Sequence, residues 1–594
     1  MSRLGGSKGV IFVRLVLAII SFVVAATLIG LGIAQKTIWA KPDHIDSSIS
    51  IGTSAPVTII DGTALNANPR SQSIAATGSD VSFAAYGRTS DVLAWIGDAS
   101  YNLVTYDLEE GALTSVLIPG QETELPNPEG SDLWFSEYTA EDALGITINV
   151  PEDVSLMILS DGIAPAPGNI TLTWPLDNST PWVVPLVSAG GGLLIFGLVM
   201  LLWAINHMRS SRGPRRKPPK MPKLPRPQKF QPSKPKAVSG AKSGRRSIGA
   251  SSIAALPLVL VGALVLSGCA SNSEGGAVAT PTSTAADLEA TAQLEAPAVT
   301  QSQAERIVAR VAAVAAQSDK ALDSTLIATR FTGAALQLRT ANYTMRAANG
   351  EIAAVPSIPS GPVKIVLPQQ SDNWPRVVFA VVENGEDDTV PPTALMLIQD
   401  DPRSQYLVHY ATTLEPGTVL PKVAPATIGT NRFGPDLQLT NMPPGQLAAA
   451  YGSILASDTS SEFYDLFEAE GDSLRVAIGL AFKTQRAQGI PSTAQIAFTN
   501  ASGDGEVVAL SANDGGAIVA TNLNETETVT PVEAGVAINA PASFKALSGK
   551  TMSTKGLQAT YGIQLLFYVP PVGSEDKIIL LGYSQGLISA TETQ

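Results

Sequence analysis

Ile248–Cys269, IGASSIAALPLVLVGALVLSGC, carries an apolar run up to the single cysteine of a 594-residue chain. Arg245 and Arg246 precede it, and a Ser/Thr/Ala/Pro/Gly/Glu-rich stretch, 270–300, follows and reads as a flexible tether. The reading of this stretch sets the architecture, because charge changes sign across it. Residues 209–246 hold fourteen Lys/Arg and no Asp or Glu, whereas 270–594 hold thirty-two acids against eighteen bases. Residues 35–182 are acidic too, with twenty acids against four bases. Bases on one side of apolar segments and acids on the other follow the positive-inside pattern.

Two more apolar segments complete the pattern. Leu15–Ala34 is long enough to span a hydrocarbon core of roughly 30 Å. Arg3, Lys8 and Arg14 precede it and Trp39 follows at interfacial depth. Ala34-Gln35-Lys36 is a poor cleavage site for a secretory signal, so 15–34 reads as an uncleaved anchor after a cytoplasmic 1–14. Val183–Ala204 is the second span, flanked by Trp182, Trp203 and His207. Ser188 and Gly192, with Ala26 and Gly30, form small-xxx-small spacings that predict close pairing of these two spans. The expected result is a multi-pass protein of a bacterial cell membrane, with the N-terminus and 209–246 cytoplasmic and 35–182 and 270–594 extracytoplasmic.

Leu266-Ser267-Gly268-Cys269 behind a basic and then an apolar region resembles a bacterial lipoprotein lipobox. The resemblance implies a diacylglycerol thioether on Cys269 after cleavage before it; the alternative for 248–268 is a plain transmembrane helix. Both place the rest of the chain outside. The whole chain resembles an uncharacterised actinobacterial envelope family that joins a two-span membrane protein to a lipoprotein-like half. That resemblance implies no reaction.

The basic tract has proline every few residues and no hydrophobic face, so it reads as a disordered linker. Its bases, Arg215, Arg216, Lys217, Lys220, Lys223 and Arg226 among them, suit contact with anionic membrane lipid or a cytoplasmic partner. A purely topogenic role, holding the loop inside, is the favoured single reading of the tract, and lipid contact follows from it passively. No nucleic-acid partner is expected, since Phe230 is its sole stacking ring.

Residues 41–180 alternate with period two, with turn residues every eight to twelve positions. Predicted strands cover 56–61, 81–86, 91–96, 103–106, 113–118, 133–138, 146–150, 155–159 and 170–174, an all-β sandwich or jelly roll. Trp95, Trp134 and Trp174 fit either its core or a ligand platform. From Ser302-Gln-Ala-Glu305, a capping-box match, helices are expected over 302–315, 319–330 and 334–347. Strands at 363–367, 377–382, 394–398 and 406–413 follow. A second round has helices at 443–455, 461–468 and 474–485 and strands at 494–498, 507–511, 517–522, 557–569 and 577–583. This α+β order, with Arg330-Phe-Thr-Gly-Ala-Ala-Leu336, resembles the NTF2-like fold, twice in tandem over 301–425 and 441–594. In an NTF2-like cavity a buried acid would be the expected general base.

Gly582-Tyr583-Ser584-Gln585-Gly586 matches the G-x-S-x-G elbow and resembles its cutinase version. An α/β-hydrolase needs a following helix, acid and histidine, and the sequence after Gly586 supplies no histidine. Ser584 is therefore rejected as a nucleophile in favour of a terminal strand. Asp504-Gly505 and Asp514-Gly515-Gly516 lack the spacing of a calcium loop and read as hairpin turns. One cysteine and three scattered histidines provide no transition-metal set, so no metal and no cofactor is expected. The favoured function is a membrane-anchored envelope protein with non-catalytic binding or scaffolding modules for an envelope protein or glycan partner. Alternatives are an envelope hydrolase or glycan-assembly enzyme, and a signal-transfer protein.

Overall fold

The computed structural model describes residues 6–52, 54–122, 124–176, 178–210, 295–385, 387 and 389–594. The third apolar segment, the lipobox with Cys269 and the basic tract lie outside them. The chain divides into two units, Met1–Ala40 with Thr180–Thr291, and Lys41–Ser179 with Ala292–Gln594.

The described part of the first unit is a pair of helices, α1 (Gly6–Thr37) and α4 (Val183–Ser210). Both are long and apolar enough to cross a membrane. They pack antiparallel through small residues spaced by seven. Ala18, Ala25 and Gly32 are buried on α1, as are Gly190, Gly197 and Ala204 on α4. A Cβ added at Gly190 would stand 2.6 Å from Ile29, and one at Gly197 3.1 Å from Phe22. A seven-residue repeat keeps one narrow stripe facing its partner, and small residues let the backbones approach. The expected pairs do not form this contact. Ala26 is exposed, and nothing lies within 4 Å of a Cβ at Gly30 or Gly192. The reason is register, since the buried stripe falls one residue from Ala26 and two from Gly30 and Gly192. Large apolar groups such as Ile20, Val23, Ile195 and Val199 face outward.

The second unit begins with a β-module. Its strands are β1 (His44–Ser50), β2 (Val57–Ile60), β3 (Gln72–Arg88), β4 (Tyr101–Asp107), β5 (Ala112–Ile118), β6 (Ser136–Ile148), β7 (Val154–Leu159) and β8 (Asn169–Pro175). Short helices α2 (Gly62–Leu65) and α3 (Thr89–Ile96) interrupt them. The sheet order is β1-β8-β3-β7-β2-β4-β5, with β6 also on β3. The Leu113 amide of β5 donates to Ser47 Oγ of β1 at 3.1 Å, so the edges meet and the sheet is nearly closed. Residues 91–96, expected as a strand, form most of α3 instead. Val92, Trp95 and Ile96 are its buried hydrophobics, and their spacing of three and four fits one helical face. Of the expected strands at 133–138 and 146–150, only 136–138 and 146–148 are strand, and they are the two ends of the single long strand β6.

The remaining residues form four layers. Helices α5 (Gln301–Ala321), α6 (Ser324–Ile327) and α7 (Gly333–Ala348) precede β9 (Val363–Pro368), β10 (Arg376–Val382), β11 (Thr393–Gln399) and β12 (Leu407–Leu414). After β13 (Arg432–Phe433) come α8 (Leu447–Ser457), α9 (Ser473–Ile478) and α10 (Leu480–Gln488). Then follow β14 (Ala494–Ser502), β15 (Val508–Ser511), β16 (Ala517–Pro531), β17 (Ile538–Asn539), α11 (Ala542–Ser548), β18 (Met552–Ser553), β19 (Leu557–Val569) and β20 (Ile579–Glu592). One ten-stranded sheet runs β13-β15-β16-β19-β20-β12-β11-β10-β9, with β14 on β16. Alternation along β10 puts Val378, Ala380 and Val382 against the α5–α7 side. Val377, Phe379 and Val381 face a shared core with Val508, Ile518 and Leu566 from the other wing. On that wing Val519, Leu565 and Phe567 pack with Tyr451 of α8. The bent sheet is thus buried on both faces, which explains its near-continuous apolar strands.

Local boundaries shift for identifiable reasons. The capping box of α5 is Thr300 with Gln303, not Ser302 with Glu305. Helix α5 runs on to Ala321, and only the four residues of α6 are helical in the rest of 319–330. The expected helix over 461–468 reduces to a single turn at Tyr464–Leu466. The one over 474–485 breaks at Gly479, where an added Cβ would meet Arg475 O at 2.3 Å.

Candidate functional site

The most concentrated polar chemistry of the second unit lies where the β-module meets residues 295–406. Most of its carboxylates come from the β-module and most of its arginines from the later half; Arg88 with Asp372, 3.6 Å apart, is the reverse pair. Asp91, on α3, lies 2.8 Å from Arg376 Nη1 at the start of β10, with side chains 1% and 0% exposed. Arg88 at the end of β3 donates from Nε to Asp91 Oδ2 at 2.9 Å. Its other nitrogens donate to the carbonyls of Pro297 and Ala298 at 2.9 and 3.1 Å. The Arg376 guanidinium stacks on Trp374 at 3.7 Å. Trp374 in turn packs against the β-module cluster that holds Trp95 and Trp134.

A second carboxylate, Asp132, sits on the loop before β6 and is fully buried. It accepts from Arg330 Nη1 at 2.5 Å and from the Tyr406 amide at 2.9 Å. Arg310 Nη1 lies 3.3 Å from its other oxygen and donates to Gly130 O at 2.7 Å. Gln303 Nε2 and Arg306 Nη2 bond the carbonyls of Leu133 and Trp134 at 2.9 and 2.7 Å. Burial, and then the neighbouring Arg310, lower the Arg306 pKa from its ordinary value.

At the third point Arg403 makes a two-pronged pair with Glu122 at 2.6 and 2.7 Å. The same guanidinium donates to the carbonyls of Trp95 and Ile96 at 2.7 and 2.9 Å. These are C-terminal carbonyls of α3, which no further helical turn can satisfy. The Arg403 hydrogen bonds hold the Glu122 carboxyl below its ordinary range. Planar guanidinium groups suit this work because they bond carboxylate and carbonyl together in fixed geometry.

The seam's residues were not singled out by sequence reading, apart from Arg330 inside a fold resemblance. Acids and arginines scattered along 88–403 have no spacing that betrays a shared site. The one usable signal was acidity in 35–182 beside arginines in the early part of 301–425. Trp95, Trp134 and Trp174 are buried in the β-module cores.

Ser584 lies within β20, paired with Gln564 of β19. Both cavities it lines lack a histidine among the described residues. The motif glycines have packing roles. A Cβ at Gly586 would stand 2.5 Å from Leu338 of α7, and one at Gly582 2.5 Å from Thr413 O of β12. His409 is on β12, and burial lowers its pKa. Asp514 caps the β15–β16 turn, accepting from the Gly516 amide at 3.0 Å and the Tyr568 hydroxyl at 2.7 Å.

A cavity of about 390 Å³ lies under α11, lined by Ile490, Val529, Phe544 and Leu557 with Arg486, Glu527 and Tyr561. Its acid is engaged, since Arg486 Nη2 donates to Glu527 Oε1 at 2.9 Å. Three residues earlier on α10, the buried Lys483 pairs with Glu525. Burial raises the Glu525 pKa while Lys483 opposes that shift. Two ion pairs one helical turn apart thus staple α10 onto β16.

Residues 295–592 match the family described as "Domain of unknown function (DUF8094)". No curated protein and no solved structure matches the chain.

Proposed function

The chain belongs to the DUF8094 family, and from that premise we propose a membrane-anchored cell-envelope protein whose extracytoplasmic modules bind or scaffold rather than catalyse. The observation that carries this reading is the seam. Its strongest charged groups are used to hold the β-module and the family domain in one unit. Two features support anchoring in a membrane. Helices α1 and α4 turn small residues inward and large apolar residues outward, the reverse of a soluble helix pair. The basic tract after α4 also favours an inside location for 209–246, with 35–182 and 270–594 outside.

Cys269 is the proposed lipidation site, with Leu266, Ser267 and Gly268 as its recognition residues. Arg215, Arg216, Lys217, Lys220, Lys223 and Arg226 are proposed to lie against anionic lipid. The helix-then-strand order of α5–β12 and α8–β20 supports reading the family domain as two NTF2-like halves. An envelope protein or glycan is the proposed partner.

Purified full-length protein in detergent is mixed with sedimented cell-wall glycan and, separately, with ester and glycan substrates. Co-sedimentation without turnover is expected. Specific turnover of either substrate would overturn the non-catalytic reading.

A further inference from the structure

The seam has the composition of an interface between separate proteins. We propose that the family domain is a self-standing partner of the β-module, so that a chain cut between the two remains a stable two-chain complex. Trp374 and Arg376 form an aromatic and arginine anchor at a desolvated centre, the residue types that dominate interface energetics. Charge is complementary, with acids such as Asp91, Asp132 and Glu122 on one face meeting arginines on the other, and with Arg88 facing Asp372 in the reverse sense.

Each side also completes the other's backbone. Arg403 satisfies carbonyls at the end of α3, while Arg88 satisfies the carbonyls that lead into α5. Among the described residues no strand pairing links the β-module sheet to the ten-stranded sheet, so the seam relies on side chains rather than a shared sheet. Side-chain contacts re-form after a backbone cut elsewhere.

The proposal is independent of Cys269. If cleavage before that residue occurs, it yields the same pair of chains.

The test uses full-length protein in detergent with a site-specific protease sequence inserted between Gly276 and Ala277. Cutting there removes any lipid on Cys269 from the C-terminal fragment, so a shared micelle cannot hold the fragments together. Size-exclusion chromatography is expected to show both fragments co-eluting at physiological salt. They should stay together at roughly 1 M salt, where the Debye length is about 3 Å and exposed pairs are screened. Glu122→Arg should speed dissociation of the cut pair at least tenfold, and Glu122→Arg/Arg403→Glu should recover part of that loss. Separation of the wild-type fragments at physiological salt would overturn the proposal. It would leave the membrane reading untouched, because that rests on α1 and α4, and the turnover assay tests the non-catalytic reading separately.

Discussion

Arg376 and Asp91 meet at 2.8 Å in the interior of the second unit, although 284 positions separate them in sequence and neither side chain is more than 1% exposed. Removing one member strands a desolvated charge, which costs about 3–5 kcal/mol, whereas removing both costs less. Arg376→Met should lower the unfolding free energy, measured by urea titration of tryptophan fluorescence, by an amount in that range. Arg376→Met/Asp91→Leu should cost less than the sum of the single changes. Additive losses would mean that the two groups are not coupled.

The Glu122–Arg403 pair gives a pH dependence. The carboxyl has a folded pKa below its unfolded value of 4.5, so the stabilisation is complete above pH 4.5 and is lost as pH falls through the folded value. The stability difference between wild type and Glu122→Gln should therefore be constant near neutrality and shrink below pH 4.5. A difference that grows on acidification would contradict the assigned pairing.

The α1–α4 helix pair separates tolerated from intolerable glycines. Gly190→Leu forces a side chain against Ile29 and should weaken α1–α4 packing by about 1–3 kcal/mol. Gly192→Leu enters open space and should be silent. In a Cys269→Ser background, Ser21→Cys/Gly197→Cys places the β-carbons 3.3 Å apart and should crosslink on oxidation. Added Gly190→Leu should reduce that crosslink and Gly192→Leu should not.

At the Gly582–Gly586 motif the glycines matter more than the serine. Ser584→Ala should change stability by less than about 0.5 kcal/mol. A fluorophosphonate probe should label wild type and Ser584→Ala equally weakly. Gly582→Ala drives a methyl against the backbone of Thr413 and Leu414 and should destabilise by about 1–3 kcal/mol. Selective labelling of Ser584 would reverse the assignment.

Lys483→Met removes the partner of a carboxyl whose pKa burial already raises. The unpaired Glu525 then favours its protonated form in the folded state, so the variant's deficit should be largest near pH 7 and shrink as pH falls. Lys483→Met/Glu525→Gln should lose less stability than Lys483→Met alone.

Strand and helix positions were legible wherever local periodicity governed them. The predicted 557–569 is β19 residue for residue, and the two described membrane-length helices fall on 15–34 and 183–204. Residues 91–96 misled because a short apolar run fits either period, and only the tertiary fold shows that Val92, Trp95 and Ile96 are buried on one helical face. The seam itself was illegible for the same reason. Asp91, Glu122 and Asp132 look like ordinary turn or surface acids until the fold brings Arg376, Arg403 and Arg330 to them. Gly586 drew attention as chemistry, yet its requirement is space for Leu338, a partner that only the tertiary structure supplies.

Strand β20 joins the two wings of the ten-stranded sheet, and it pairs with β12 through Thr413–Tyr583 and Leu414–Gly582. During synthesis the wing ending at β12 emerges long before residues 579–592. Until then β12 presents an open edge, the kind of surface that recruits strands from other chains. The order of emergence therefore makes the interval before β20 arrives the period of greatest danger of misassembly. A ribosome stalled ahead of residue 579 would release a chain whose first wing is made but unclosed. Cellular quality control would have that exposed strand to recognise.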